Sequence, residues 1–228
     1  MKKRNAFTLA EVLVTLGVIG VVVAMTLPIV IQKYQEKILV TSYLRILNIL
    51  NQAYNLAVVD YGTYDMWAKT GVDDYNKLKP YLKLSADCPL GVSNSKCFPN
   101  TTYNTLNPNI KTDNWSLYTK PSVRLITGES IMFLSDGSVT FIVDLNGNDK
   151  PNKLGVDCHF FSFYLTDITN RIYKPVIKPG GDWINSSYGK YCSHSGTWYP
   201  GNSCGYWILK YKNMDYLHMS DNEIEKHW

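Results

Sequence analysis

A single carboxylate, Glu11, stands in an otherwise uncharged stretch from Phe7 to Ile31. At the centre of a membrane helix such a group costs about 2.5–3.5 kcal/mol, and it normally has a partner and a function. The stretch contains no Lys, Arg or His. The partner must therefore come from another chain or from a newly made amino terminus. A second set of chemically capable side chains lies in Asp144-Leu-Asn-Gly-Asn-Asp-Lys-Pro-Asn-Lys-Leu-Gly-Val-Asp157. Asp144, Asn146 and Asn148 alternate, and Asn152 or Asp157 could close a shell of the oxygens that calcium takes. The EF-hand pattern fails, because its twelfth position here is Gly155 rather than Glu. The competing reading is an Asx-rich turn whose side chains bond their own backbone. No G-x-S-x-G, H-E-x-x-H or phosphate-loop pattern occurs, and His159, His194, His218 and His227 have no nucleophile beside them in sequence. The expectation is a protein that is not an enzyme, with no certain cofactor and Ca2+ as the candidate.

Five cysteines, at 88, 97, 158, 192 and 204, all follow the apolar stretch. An exported compartment permits disulfides. Pairing neighbours, Cys88 with Cys97 and Cys192 with Cys204, closes two small turn-rich loops and leaves Cys158 over. Other connectivities stay open on sequence alone. Cys158 begins an apolar run, Cys158-His-Phe-Phe, which suits a buried inert thiol. Zinc on Cys192, His194 and Cys204 is an alternative whose spacing matches no standard finger.

The elements that must position these groups begin with the apolar stretch itself. Roughly 20 apolar residues at about 1.5 Å each span a bilayer core, so residues 7–31 form a transmembrane candidate. Lys2, Lys3 and Arg4 precede it and keep that end cytoplasmic by the positive-inside rule. A secretory signal peptide would have a shorter apolar region and an A-x-A-like site, and a plain anchor would explain length and charge but not Phe-Thr-Leu-x-Glu. A basic leader, a small residue, then Phe7-Thr8-Leu9-Ala10-Glu11 and an apolar run together resemble the prepilin cleavage and methylation motif of type IV pilins and type II secretion pseudopilins. The resemblance implies cleavage between Ala6 and Phe7 by a prepilin peptidase, with methylation of the new Phe7 amine. The family's usual residue before the cut is Gly; Ala6 is also small. It further implies that Glu11 pairs with a terminal amine, its own or a neighbouring subunit's, during filament assembly.

Beyond residue 31 the apolar residues Val40, Leu44, Leu47, Leu50, Tyr54 and Val58 recur every three or four positions. One long helix over 7–61 is expected, with Pro28 inside it and Gly62 ending it. Its membrane half is apolar on all sides and its second half is amphipathic. Residues 62–121 read as turn-rich, with helical pieces near Tyr64–Ala68 and Asp74–Leu84. Strands are expected at Val123–Thr127, Ser130–Ser135, Val139–Val143 and His159–Leu165, with Asp136-Gly137 as a hairpin turn. Gly205–Tyr211 reads as a strand or a short helix, with the strand preferred. The fold class is therefore α+β, a long amino-terminal helix packed on an antiparallel sheet, as in pilins. The domains are a leader over 1–6, the helix over 7–61 and a globular extracytoplasmic head over 62–228.

The formal net charge is +4, and losing Lys2, Lys3 and Arg4 with the leader brings it near +1. That is no electrostatic footprint for nucleic acid. The expected protein is a pilin or pseudopilin subunit, of minor kind, set in a bacterial inner membrane with its amino terminus cytoplasmic. Its head lies in the periplasm or, after assembly, outside the cell. Its partners are the prepilin peptidase and other filament subunits. The alternative is a membrane-anchored binding module, suggested by the Tyr and Trp residues around 183–207.

Overall fold

The computed structural model describes residues 8–90, 96–112, 120–134, 139–167, 172–180, 192–195 and 199–227. Two compact units divide the chain, Met1–Ile38 and Leu39–Trp228. Helix α1, Leu9–Tyr61, contributes to both and contains Pro28 without a break in assignment. Within the first unit its described side chains are almost all exposed, as an apolar surface without a cover.

In the second unit the same helix turns amphipathic. Val40, Tyr43, Ile46, Leu47, Leu50, Ala53, Tyr54 and Ala57 are buried, at three- and four-residue spacing. A six-stranded sheet receives them: β1 Leu84–Cys88, β2 Ser122–Leu125, β3 Ser130–Phe133, β4 Phe141–Asp144, β5 Cys158–Asp167 and β6 Ile172–Pro179. Strands pair in chain order, each antiparallel to the next. This is the α+β arrangement expected, an apolar helix against an antiparallel sheet.

Alternation along the strands gives the sheet two apolar faces. Ile131, Phe133, Phe141, Val143, Phe161 and Phe163 join the helix in one core. Tyr43 stacks on Phe161 with ring centroids 5.2 Å apart, and Tyr54 meets Phe163 at 4.6 Å. Met132, Ile142, Cys158 and Phe160 form a smaller cluster with Phe98, Tyr103 and Leu154. A covering segment therefore lies on the side opposite the helix, which explains why these strands are apolar on both faces rather than alternating with polar residues. Burying each large side chain contributes about 1.5–3 kcal/mol.

Among the described residues, Arg45 and Asn51 fix the helix to the sheet through polar contacts. Arg45 donates from Nε (2.9 Å) and Nη2 (2.6 Å) to the buried Glu129. Asn51 accepts from the Ile177 amide at 2.7 Å and donates to the Ile177 carbonyl at 3.1 Å. The Asn51 amide thus takes the place of a neighbouring strand along the edge strand β6.

Several expectations need correction. Cys204–Tyr211 is a helix, α3, not a strand. Cys204, Gly205, Trp207 and Ile208 are its buried residues, a helical and not a strand period, and the Trp207 and Tyr211 rings, one turn apart, lie 4.5 Å from each other. The helix expected over Asp74–Leu84 ends earlier: α2 is Gly71–Leu78, and Leu84 starts β1. Strand β6 carries Pro175 and Pro179 and was not expected; proline is tolerated there because the strand is an edge. A short helix, α4 over Asp221–Lys226, begins with a capping box in which the Ser220 amide and hydroxyl donate to Glu223, each at 2.7 Å. Asp136-Gly137 lie outside the described residues.

The turn after Leu154 meets the start of the α3 region backbone to backbone. Gly201 has φ +100°, and a Cβ there would lie 2.5 Å from the Leu154 carbonyl oxygen. Gly128 has a similar φ of +104° but open space around it. We therefore expect Gly128→Ala to destabilise by about 1–2 kcal/mol, from backbone strain alone. Gly201→Ala adds overpacking of about 1–3 kcal/mol to that strain. Urea unfolding of the two variants checks the difference, and equal losses would contradict the close approach.

Candidate functional site

The residues that bear on function begin where α1 begins. Thr8 is the first described residue and Leu9 opens the helix. The Thr8 amide donates to Glu11 Oε2 at 2.8 Å, and the Thr8 hydroxyl donates to the same oxygen at 2.9 Å. In return the Glu11 amide donates to Thr8 Oγ1 at 3.2 Å. This reciprocal pair is a capping box, which satisfies orphan amides of the first turn. In a bilayer those amides have no water to turn to, so the box matters more there than in solution. Thr-x-x-Glu ahead of an apolar run is its sequence signature. Thr8 was not singled out from the sequence, although that signal was available. Ala6 and Phe7 lie outside the described residues.

The 144–157 loop brings together part of its predicted set. Asp144 and Asp157 are fully buried. Asp144 accepts from the Tyr103 hydroxyl at 2.5 Å and from the Asn146 amide at 3.1 Å. Asp157 accepts from the Asn152 amide at 2.7 Å and the Lys153 amide at 2.6 Å. Asn146 also bonds Asp157 and donates to the Lys150 carbonyl at 3.0 Å. Asn148 is exposed. Burial, with Asp157 nearby, pushes the Asp144 carboxyl well above its ordinary range, and burial raises Asp157. Both carboxyl groups accept backbone amides of the loop, a feature of Asx-rich turns. Among the described residues no three His, Cys, Asp or Glu side chains are grouped to hold a metal ion. Tyr103, from the covering segment, is a partner that sequence reasoning missed. It lies 41 residues from Asp144, with no local pattern linking them.

Disulfides join Cys88 to Cys97 and Cys192 to Cys204, and Cys158 is free and buried. The first ties the segment that carries Phe98 and Tyr103 to the end of β1. The second ties residues 192–195 to the start of α3. Asp221 then accepts from the amides of His194 (2.6 Å) and Ser195 (3.0 Å), from His194 Nδ1 (3.2 Å) and from the Ser195 hydroxyl. Here Ser and His both point at one carboxylate, so no hydroxyl is passed to a histidine base as a hydrolytic triad requires. The cluster fastens the disulfide loop to α4.

His159 sits inside the core with its ring 4.7 Å from that of Tyr43, and its Nε2 contacts the Val156 carbonyl at 3.1 Å. Burial pushes its pKa down to about 4. None of these groups forms a catalytic constellation.

A long apolar helix on an antiparallel sheet is a pilin-like arrangement. Residues 1–27 match the prokaryotic N-terminal methylation motif, which is typical of type IV pilins and type II secretion pseudopilins. The motif implies a structural subunit rather than an enzyme. The remainder of α1 and the whole sheet fall outside that match. No curated protein and no solved structure matches the chain.

His159 sets a pH dependence. Its folded pKa lies below the unfolded value near 6.5, so its neutral form supports the fold fully above about pH 6.5. That support is lost as pH falls toward 4, by about 3 kcal/mol in all. Asp144 and Asp157, both raised, act with the opposite sign: folding binds their protons, so they favour the fold as pH falls. Comparing unfolding of the wild type with His159→Gln between pH 7 and 4 isolates the histidine. The two curves should converge as pH falls, and parallel curves would contradict its burial in the neutral form.

Proposed function

We propose that this chain is a structural subunit, a pilin or pseudopilin of minor kind, of a type IV pilus or type II secretion filament. The observation that carries this reading is the N-terminal methylation motif over residues 1–27, running into one helix long and apolar enough to cross a membrane. Residues 1–6 are the leader, residues 7–31 the transmembrane segment and residues 62–228 the head. Lys2, Lys3 and Arg4 hold the leader in the cytoplasm, and the head lies across the inner membrane. A prepilin peptidase cuts between Ala6 and Phe7 and methylates the Phe7 amine.

Assembly then moves the apolar segment from lipid into a bundle of its own kind, an exchange of one apolar environment for another. Subunits that meet head to tail through a contact that does not close make a filament. Glu11 supplies the polar term that lipid and Leu side chains cannot. Its carboxylate meets the Phe7 ammonium of a neighbour, and the pair sets the axial register of one subunit on the next. An ion pair in an apolar bundle is favourable only when both partners are present, so a missing amine or carboxylate is penalised strongly.

Co-expression with a prepilin peptidase should give a chain whose intact mass and amino-terminal sequence begin at methylated Phe7. A chain that keeps Met1 would contradict the reading. Glu11→Ala should leave membrane insertion intact and lower filament incorporation by ten-fold or more, on the order of the loss expected from stranding one buried charge. Incorporation at the wild-type level, measured in sheared filaments, would contradict the role given to Glu11.

A further inference from the structure

Three polar side chains of the second unit end in its core without a hydrogen bond. Tyr43 on α1 and His159 on β5 are fully buried, and Asn202, just ahead of α3, is 1% exposed. Among the described residues nothing bonds the Tyr43 hydroxyl, His159 Nδ1, or either Oδ1 or Nδ2 of Asn202. Turning the Asn202 amide over changes nothing, since both of its ends lack a partner. The three side chains share one neighbourhood. The Tyr43 and His159 rings meet edge to face with centroids 4.7 Å apart. His159 Nε2 meets the Val156 carbonyl at 3.1 Å. A Cβ on Gly155 would lie 2.8 Å from Gly201 Cα, and one on Gly205 would lie 2.2 Å from the Tyr43 hydroxyl oxygen. Asn202 therefore stands in a segment, 201–205, that touches the turn before His159 at one end and Tyr43 at the other.

The protonation of the set decides what can bind there. A carbonyl only accepts, so the His159 ring hydrogen is on Nε2 and Nδ1 carries a lone pair. Four needs then remain. His159 Nδ1 and Asn202 Oδ1 each want a donor, while the Tyr43 O–H and Asn202 Nδ2 each want an acceptor. Each such group is penalised while it stays buried and unbonded. A metal cation would suit the two lone pairs and repel the two donors, and none of the three side chains carries a charge to balance it. An anion would suit the donors and repel Nδ1. Water donates twice and accepts twice, which is the complement of this set. We propose that an internal water is bound here and joins α1, β5 and the segment ahead of α3 through Tyr43, His159 and Asn202. Buried waters elsewhere make about three bonds to polar groups that would otherwise go unsatisfied. The site gives a reason for tyrosine rather than phenylalanine at 43, in the apolar stripe of α1. It also gives one for glycine at 205, where a side chain would press on the hydroxyl.

The test uses the full-length chain in detergent micelles. In the wild type, labelled at histidine, NMR should show a cross-peak between water and the His159 ring with the sign of a long-lived bound molecule. Tyr43→Phe removes the hydroxyl alone. In urea unfolding it should lower the folding constant about five-fold, the size of one net hydrogen bond. Asn202→Leu should lower it as well. The combined variant should lose less than the product of the two losses, because both act through the same water. A Tyr43→Phe chain as stable as the wild type or more so would overturn the inference, since removing an unpaired hydroxyl from a dry core relieves a penalty. Losses that simply multiply would overturn it too, as would a His159 ring with no water cross-peak. That last readout needs no substitution, so it decides the matter even where a variant does not fold.

Discussion

One carboxylate in an apolar helix governs the rest of this molecule. In hydrocarbon it is penalised until a donor or cation reaches it. The first donors come from the same chain, through the Thr8 box that satisfies one carboxylate oxygen and the Thr8 and Glu11 amides. The other oxygen takes no part in that box. A helix that is apolar on every side has no other means of fixing its register against a copy of itself, because van der Waals packing between smooth apolar surfaces changes little with a slip of one turn. A single polar contact makes one register better than its neighbours.

The second unit solves a different problem. Its part of α1 must be fastened on one side only, and the sheet supplies an aromatic face for Tyr43 and Tyr54. The sheet's opposite face is also apolar and needs its own cover. The segment bearing Phe98 and Tyr103 provides it, and the Cys88–Cys97 bond limits how far that segment can depart when the chain unfolds. Some polar groups in the interior are used as fasteners: Glu129 for Arg45, the half-buried Asn51 for the edge backbone at Ile177, Asp144 for Tyr103. Each joins elements distant in sequence, so each helps specify which element lies against which.

How much of this could be read beforehand depended on how local the cause was. The extent of α1 was legible because Val40, Leu47, Leu50 and Tyr54 keep a helical period up to Gly62. The central strands β2 to β5 were legible from short β-branched and aromatic runs. Strand β6 was not, because Pro175 and Pro179 argue against a strand until its edge position is known. At α3 the sequence left strand and short helix open and the preference fell on the strand, because Gly-Tyr-Trp-Ile has strand composition, while its burial follows from packing around Cys204 and Trp207. At the amino terminus Glu11 drew attention through charge alone. Thr8 carried an equally local signal, and its partner is three residues away. Tyr103 with Asp144, and Asp221 with His194, carried no such signal, since folding alone brings them together.

The most direct test of the central claim is whether the Glu11 carboxyl touches an amine belonging to another molecule. Subunits labelled with 13C at Glu11 are mixed with subunits labelled with 15N at Phe7, assembled into filaments and examined by solid-state NMR for carbon–nitrogen transfer. Transfer in the mixed sample is the result this account predicts. Transfer confined to filaments whose every subunit carries both labels would mean that Glu11 pairs only with its own terminus, and register would have to be set elsewhere.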